Sequence, residues 1–183
     1  LADFYQSIGI NVSHSEILIT TGGSEAILFA LNSCTDPGDE IITPEPFYAN
    51  YNGFAASAGV KIVTVTSTIG NDFALPPIAE IEKKITPKTK AILICSPNNP
   101  TGYLYSKEEI GLLGEIVKKH NLFLFSDEAY RELCYDGTEH FSPMKLQGID
   151  ENVILLDSVS KRYSECGIRI GALVTRNKDV LST

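Results

Sequence analysis

Lys161 stands in the run Ser158-Val159-Ser160-Lys161-Arg162-Tyr163-Ser164-Glu165-Cys166-Gly167-Ile168-Arg169-Ile170-Gly171, directly after the apolar stretch Val153 to Leu156. A strand that ends in small hydroxyl residues and then a lysine places a primary amine at the carboxyl edge of a sheet. Open α/β sheets bind ligands at that edge. An amine there can condense with a carbonyl to form a Schiff base. Arg169, eight residues further on, adds a fixed cation whose fork of donors suits a phosphate. The pair points to one ligand that carries both a carbonyl and a phosphate. A lone lysine in such a place is more often a solvated surface residue, so the decision rests on other segments.

Three segments bear on it. Thr20-Thr21-Gly22-Gly23-Ser24-Glu25-Ala26 follows the apolar run Ile17 to Ile19 and precedes a good helix former, Ala26 to Leu31. Its glycines permit a sharp turn and a close approach of backbone to ligand. Ser24 is the expected N-cap, and the free N–H groups and dipole of the first helical turn favour an anion such as phosphate. Ser96-Pro97-Asn98-Asn99-Pro100-Thr101-Gly102 follows Ala91 to Cys95 and forms a rigid turn. The Asn99 amide can donate to a ligand oxygen. Ser126-Asp127-Glu128-Ala129-Tyr130 follows Leu122 to Phe125. A carboxylate at the end of a buried strand is costly unless paired, and a pyridinium N–H is one suitable partner. Tyr130 lies on the same side as Asp127 if the chain turns helical. Taken singly, each segment also reads as an ordinary turn or helix cap. A carbonyl, a phosphate and a pyridine nitrogen occur together in pyridoxal phosphate.

In order and spacing, Gly-Gly-Ser-Glu-Ala, Pro-Phe-Tyr, Asn-Pro-Thr-Gly, Asp-Glu-Ala-Tyr and Ser-Val-Ser-Lys with the later Gly-Ile-Arg resemble the class I/II aminotransferases of the fold type I pyridoxal phosphate family. The matched stretch runs from about Ile17 to Gly171. The resemblance implies that Lys161 is the Schiff-base lysine and that Asp127 pairs with the pyridine nitrogen. It implies that Tyr130 and Asn99 contact the ring hydroxyl oxygen and that Tyr48 stacks on the ring. It assigns Gly23, Ser24, Glu25, Ser158 and Arg169 to the phosphate, and cis bonds to Glu45-Pro46 and Asn99-Pro100. Where many relatives have Thr-Gly-Trp-Arg, this chain has Cys166-Gly167-Ile168-Arg169, which leaves the arginine in register. The implied activity is transfer of an amino group between an amino acid and a 2-oxo acid. The Ser-Val-Ser-Lys-Arg-Tyr pattern is most similar to that of aspartate aminotransferases. The implied whole enzyme is a homodimer with active sites at the subunit boundary.

The composition agrees with a cytoplasmic enzyme, and the resemblance implies a role in amino acid metabolism. The chain has 183 residues, of which 43% are hydrophobic, and a net charge of −8. That charge argues against a nucleic-acid partner. No apolar run approaches the ~18 residues of a membrane span. Cys34, Cys95, Cys134 and Cys166 are far apart, without metal-ligand spacing, and no metal site is expected. Cys34 and Cys95 sit in apolar contexts and read as buried free thiols.

Strand-like runs at Ile17–Thr20, Glu40–Thr43, Lys61–Val65, Ala91–Cys95, Leu122–Phe125, Val153–Leu156 and Ala172–Thr175 alternate with helical patterns at Glu25–Ser33, Tyr48–Ala58, Ile78–Ile85 and Lys107–Lys119. The last begins with a capping box, Ser106 and Glu109. The alternation predicts a three-layer α/β/α fold with a mostly parallel sheet of about seven strands. The final strand follows Lys161 by a short connection and is expected to run antiparallel.

The chain is read as one domain, residues 1–183. By the resemblance it is the large, cofactor-binding domain of a longer enzyme, without that enzyme's N-terminal segment and C-terminal small domain. The isolated domain is expected to lack useful activity. Two other functions fit the same motifs. One is another fold type I reaction, such as C–S β-elimination. The other is the aminotransferase-like effector domain of a transcription regulator, which requires a basic winged-helix segment upstream.

Overall fold

A computed structural model describes residues 1–183. Seven strands are present: β1 (Ile17–Thr20), β2 (Glu40–Glu45), β3 (Lys61–Thr66), β4 (Thr89–Cys95), β5 (Phe123–Asp127), β6 (Val153–Ser158) and β7 (Gly171–Val174). They form one sheet in the order β1-β7-β6-β5-β4-β2-β3. The pairs from β2 to β6 are parallel, and β7 runs antiparallel to both β6 and β1. Seven helices accompany the sheet: α1 (Ala2–Ser7), α2 (Gly23–Cys34), α3 (Tyr51–Ser57), α4 (Ile78–Glu82), α5 (Lys107–His120), α6 (Val159–Arg162) and α7 (Lys178–Ser182).

The side-chain period of two along each strand divides the core. Ile42, Ile92, Ile94, Leu124, Val153 and Leu155 face one layer, where Ile110, Leu113, Ile116 and Val117 of α5 cover them. Ile41, Ala91, Leu93, Phe125, Ile154 and Leu156 face the other, under Ala26, Ile27, Ala30 and Leu31 of α2 and Tyr51 and Ala55 of α3. Central parallel strands buried on both faces read as continuous apolar runs, which is why the sequence marks them so clearly. Each fully buried leucine or isoleucine contributes about 1.5–3 kcal/mol.

The helix ends follow local chemistry. The Glu109 amide donates to Ser106 Oγ at 3.1 Å and the Ser106 amide to Glu109 Oε2 at 2.8 Å, so the capping box opens α5 as expected. Asn121, in the left-handed region at φ 51°, ends it. The helix expected from Tyr48 starts three residues later, because a turn closed by the Tyr51 amide on the Tyr48 carbonyl at 3.0 Å precedes it. The helix expected to reach Ile85 stops at Glu82, where three-residue backbone bonds from Lys84 and Ile85 tighten the last turn. The Glu45-Pro46 and Asn99-Pro100 bonds are cis, as is Ser96-Pro97. No helix is long and apolar enough to cross a membrane.

Candidate active site at the carboxyl edge of the sheet

Register carries the separate motifs to one edge. Cys95 lies opposite Asp127 at the ends of β4 and β5. Ser158 and Thr20 both lie opposite Gly171, so the ends of β6 and β1 meet the start of β7 in one row. The loops that leave these positions surround a cavity of about 200 Å³. Gly23, Ser24, Tyr48, Asn99, Asp127, Tyr130, Ser158, Lys161 and Arg169 line it, nine of the ten residues singled out from the sequence.

One end of the cavity suits an anion. Gly22, at φ 77° and ψ 172°, is the N-cap of α2. A methyl group on it would lie 2.1 Å from Arg169 Nη2, so any larger residue would force the guanidinium to move. Arg169 is itself in the left-handed region at φ 57°. It donates through Nη1 to the Cys166 carbonyl at 3.0 Å and through Nη2 to the Thr21 carbonyl at 3.2 Å. Gly171 packs against the same turn, and a methyl there would sit 2.5 Å from the Gly22 carbonyl carbon. The first N–H groups of α2 have no partner within the helix, and its dipole adds positive potential.

The other end presents a carboxylate, a phenol and an amide. Asp127 is 9% exposed. It accepts from the Tyr51 hydroxyl at 2.7 Å and the Ala129 amide at 3.1 Å. Burial raises its pKa above the ordinary carboxylate value, against the opposing effect of those hydrogen bonds. No basic side chain pairs with it. Asn99 Nδ2 donates to the Tyr130 hydroxyl at 3.4 Å. Burial raises the Tyr130 phenol, and the Lys161 ammonium opposes the rise. Tyr48 packs edge-on to Tyr51, with ring centroids 5.4 Å apart.

The model of the family described as aminotransferase class I and II matches residues 1–183. The chain belongs to this family. It is 37% identical over 169 residues to the aspartate aminotransferase of Bacillus subtilis, covering 92% of this chain and 43% of that protein. Identity to the aspartate/prephenate aminotransferase of Thermus thermophilus is 35% over 168 residues, again 92% of this chain and 43% of the relative. The fold superposes on the aromatic aminotransferase of Pyrococcus horikoshii with a TM-score of 0.93 at 30% identity, covering 99% of this chain and 48% of that one. The chain thus spans less than half the length of these relatives.

Class I and II aminotransferases depend on pyridoxal phosphate, and the donor set fits that group. A buried carboxylate without a basic partner matches a cationic ring nitrogen. The unpartnered first-turn amides and Arg169 match a phosphate. The lysine amine lies in the same cavity.

Three expectations change. Ser24 is not the N-cap of α2, because the helix begins at Gly23 and Gly22 holds the cap; Gly22 adopts a backbone geometry closed to serine. Glu25 does not line the cavity. Its carboxylate turns back to accept from the Thr21 amide at 2.6 Å, so only its backbone remains near the anion end. Tyr130 reaches the cavity on a turn after β5 rather than on a helix. Sequence reasoning gave no role to Tyr51, although its spacing of three from Tyr48 signals a shared side. Cys95, buried at 3% exposure, also lines the cavity and is pushed well above the ordinary thiol value by burial.

Proposed function

We propose that this chain is the cofactor-binding domain of a pyridoxal phosphate-dependent aminotransferase. The enzyme moves an amino group between an amino acid, with aspartate the first to test, and a 2-oxo acid. The observation that carries the reading is the buried Asp127 carboxylate, unpaired by any basic side chain, in the same cavity as the Lys161 amine. The bound cofactor supplies an electron sink.

The chain's own groups do the rest. Lys161 would hold the cofactor through its side-chain amine. When free, that amine would take up and return a proton as general base and acid. Asp127 would pair with the ring nitrogen and keep it protonated. Tyr130 and Asn99 would hydrogen-bond the ring oxygen, and Tyr48 would cover the ring face. Gly23, Ser24, Ser158 and Arg169 would bind the phosphate through backbone N–H, hydroxyl and guanidinium groups. Membership of the aminotransferase family supports a homodimer acting on amino acid and 2-oxo acid substrates.

The test is chemical trapping. Protein mixed with pyridoxal phosphate gains a visible band, and borohydride then fixes the cofactor to the peptide containing Lys161. The Lys161→Ala variant gives no fixed adduct. Label on a different lysine of the wild type overturns the assignment.

A further inference from the structure

Lys161 sits on α6, a helix of four residues. A single turn is unfavourable by itself, because nucleation fixes several dihedrals for one hydrogen bond. The position of the amine therefore depends on what holds the ends of the turn. One side chain, Asp157, reaches both ends. Its Oδ1 accepts from the Ser158 amide at 2.7 Å, where the chain enters the turn. Arg162 Nη2 lies 3.1 Å from the same oxygen and 3.2 Å from Oδ2, where the chain leaves it. Asp157 and Arg162 are 3% and 5% exposed in their side chains, so water screens the pair little.

The clamp is anchored from below. The Tyr5 hydroxyl of α1 donates to Asp157 Oδ2 at 2.7 Å, and Arg131 Nη2 stands 3.5 Å from that oxygen. The Arg162 guanidinium lies 4.3 Å from the centroid of the Phe4 ring. A carboxylate here interrupts a strand that is otherwise apolar from Val153 to Leu156. A buried ion pair adds little stability beyond an apolar pair of the same shape, which points to a role in geometry rather than stability here.

We propose that Asp157 and Arg162 are positioning residues for Lys161: one carboxylate grips both ends of the lysine turn and sets where the amine stands against the cofactor carbonyl. The inference rests on the reading of Lys161 given above. Neither residue lines the cavity, so both act through Lys161.

The experiment uses the full-length protein that carries this chain, with pyridoxal phosphate as the probe. Arg162→Met keeps the aliphatic stem and removes the cation, with its contact over Phe4. Asp157→Asn keeps an acceptor for the Ser158 amide and removes the charge. Both variants are expected to weaken cofactor binding in a visible-absorption titration by about tenfold, or 1.4 kcal/mol. Both are expected to shift the pH midpoint of the visible band and to lower the fraction of Lys161 fixed by borohydride. Arg162→Lys, which keeps a cation near Asp157, recovers most of the midpoint and the affinity. Ile116→Val in α5 loosens the core far from the turn and leaves both readouts unchanged. Wild-type affinity and midpoint in Arg162→Met and Asp157→Asn overturn the proposal. So does a loss that Ile116→Val reproduces in proportion to its lost thermal stability. If Arg162→Met does not fold, Asp157→Asn decides by the same readouts. Wild-type protein unlabelled at Lys161 overturns the earlier reading instead, whatever the variants do.

Discussion

Gly22→Ala separates the anion end of the site from the stability of the fold. Gly22 stands at φ 77° and ψ 172°, a region occupied almost only by glycine, where another residue costs about 1–3 kcal/mol. For a chain of this size each kcal/mol lowers Tm by about 2–4 °C. The new methyl would also meet Arg169, at 2.1 Å from Nη2 and 2.7 Å from Cζ. The far end of an arginine can swing away, but doing so breaks its bonds to the Thr21 and Cys166 carbonyls. Hydrogen bonds to charged groups contribute about 1.5–3 kcal/mol. If Arg169 holds the phosphate, cofactor affinity falls by roughly ten- to hundredfold. Gly38→Ala is the matched comparison. Gly38 also has a positive φ, 95°, but a methyl there meets nothing within 4 Å. It is expected to lower Tm while leaving affinity unchanged. Calorimetry gives Tm, and titration of the visible band gives affinity. A Gly22→Ala protein that is destabilised yet binds pyridoxal phosphate like the wild type would falsify the placement of the phosphate beside Arg169.

Two further outcomes are expected. Burial raises the Asp127 pKa above its ordinary value of 3.8, so in the cofactor-free protein this group favours folding below that value and the contribution is lost as pH rises through the elevated folded pKa. Asp127→Asn should therefore raise the Tm of the cofactor-free protein at neutral pH, with the gain shrinking as pH falls towards 3.8, while weakening cofactor binding; thermal melts across pH check the sign. His140, buried between Glu128, Arg131 and Lys145, is held below its ordinary value of 6.5 by burial. Its contribution is present above 6.5 and is lost as pH falls through the folded pKa, so wild-type stability should decline on acidification below 6.5 and His140→Gln should flatten that decline.

Much of the architecture was legible because it rests on local rules. Continuous apolar runs marked β4, β5 and β6, since strands buried on both faces need apolar residues at every position. Ser106 and Glu109 announced the start of α5, because a capping box is completed within four residues. The short link after Lys161 marked β7 as antiparallel. Motif order placed nine of the ten chosen residues around one cavity, because parallel strands deliver their carboxyl ends to the same edge.

The contacts that tune this edge were decided by tertiary structure. Tyr51 meets Asp127 across 76 positions of chain, and Tyr5 meets Asp157 across 152. No sequence period encodes such pairs. They depend on which strands become neighbours, and the order β1-β7-β6-β5-β4-β2-β3 joins elements distant in the chain. Glu25 shows the same division within a single motif. Its place in the loop was readable, but its carboxylate turned away from the cavity to satisfy the Thr21 amide. Motif order, with the family resemblance it carries, thus indicated which residues share the sheet edge. Strand register, and the burial that makes an unpaired donor or acceptor costly, decided which of their atoms face the cavity and which brace it from beneath.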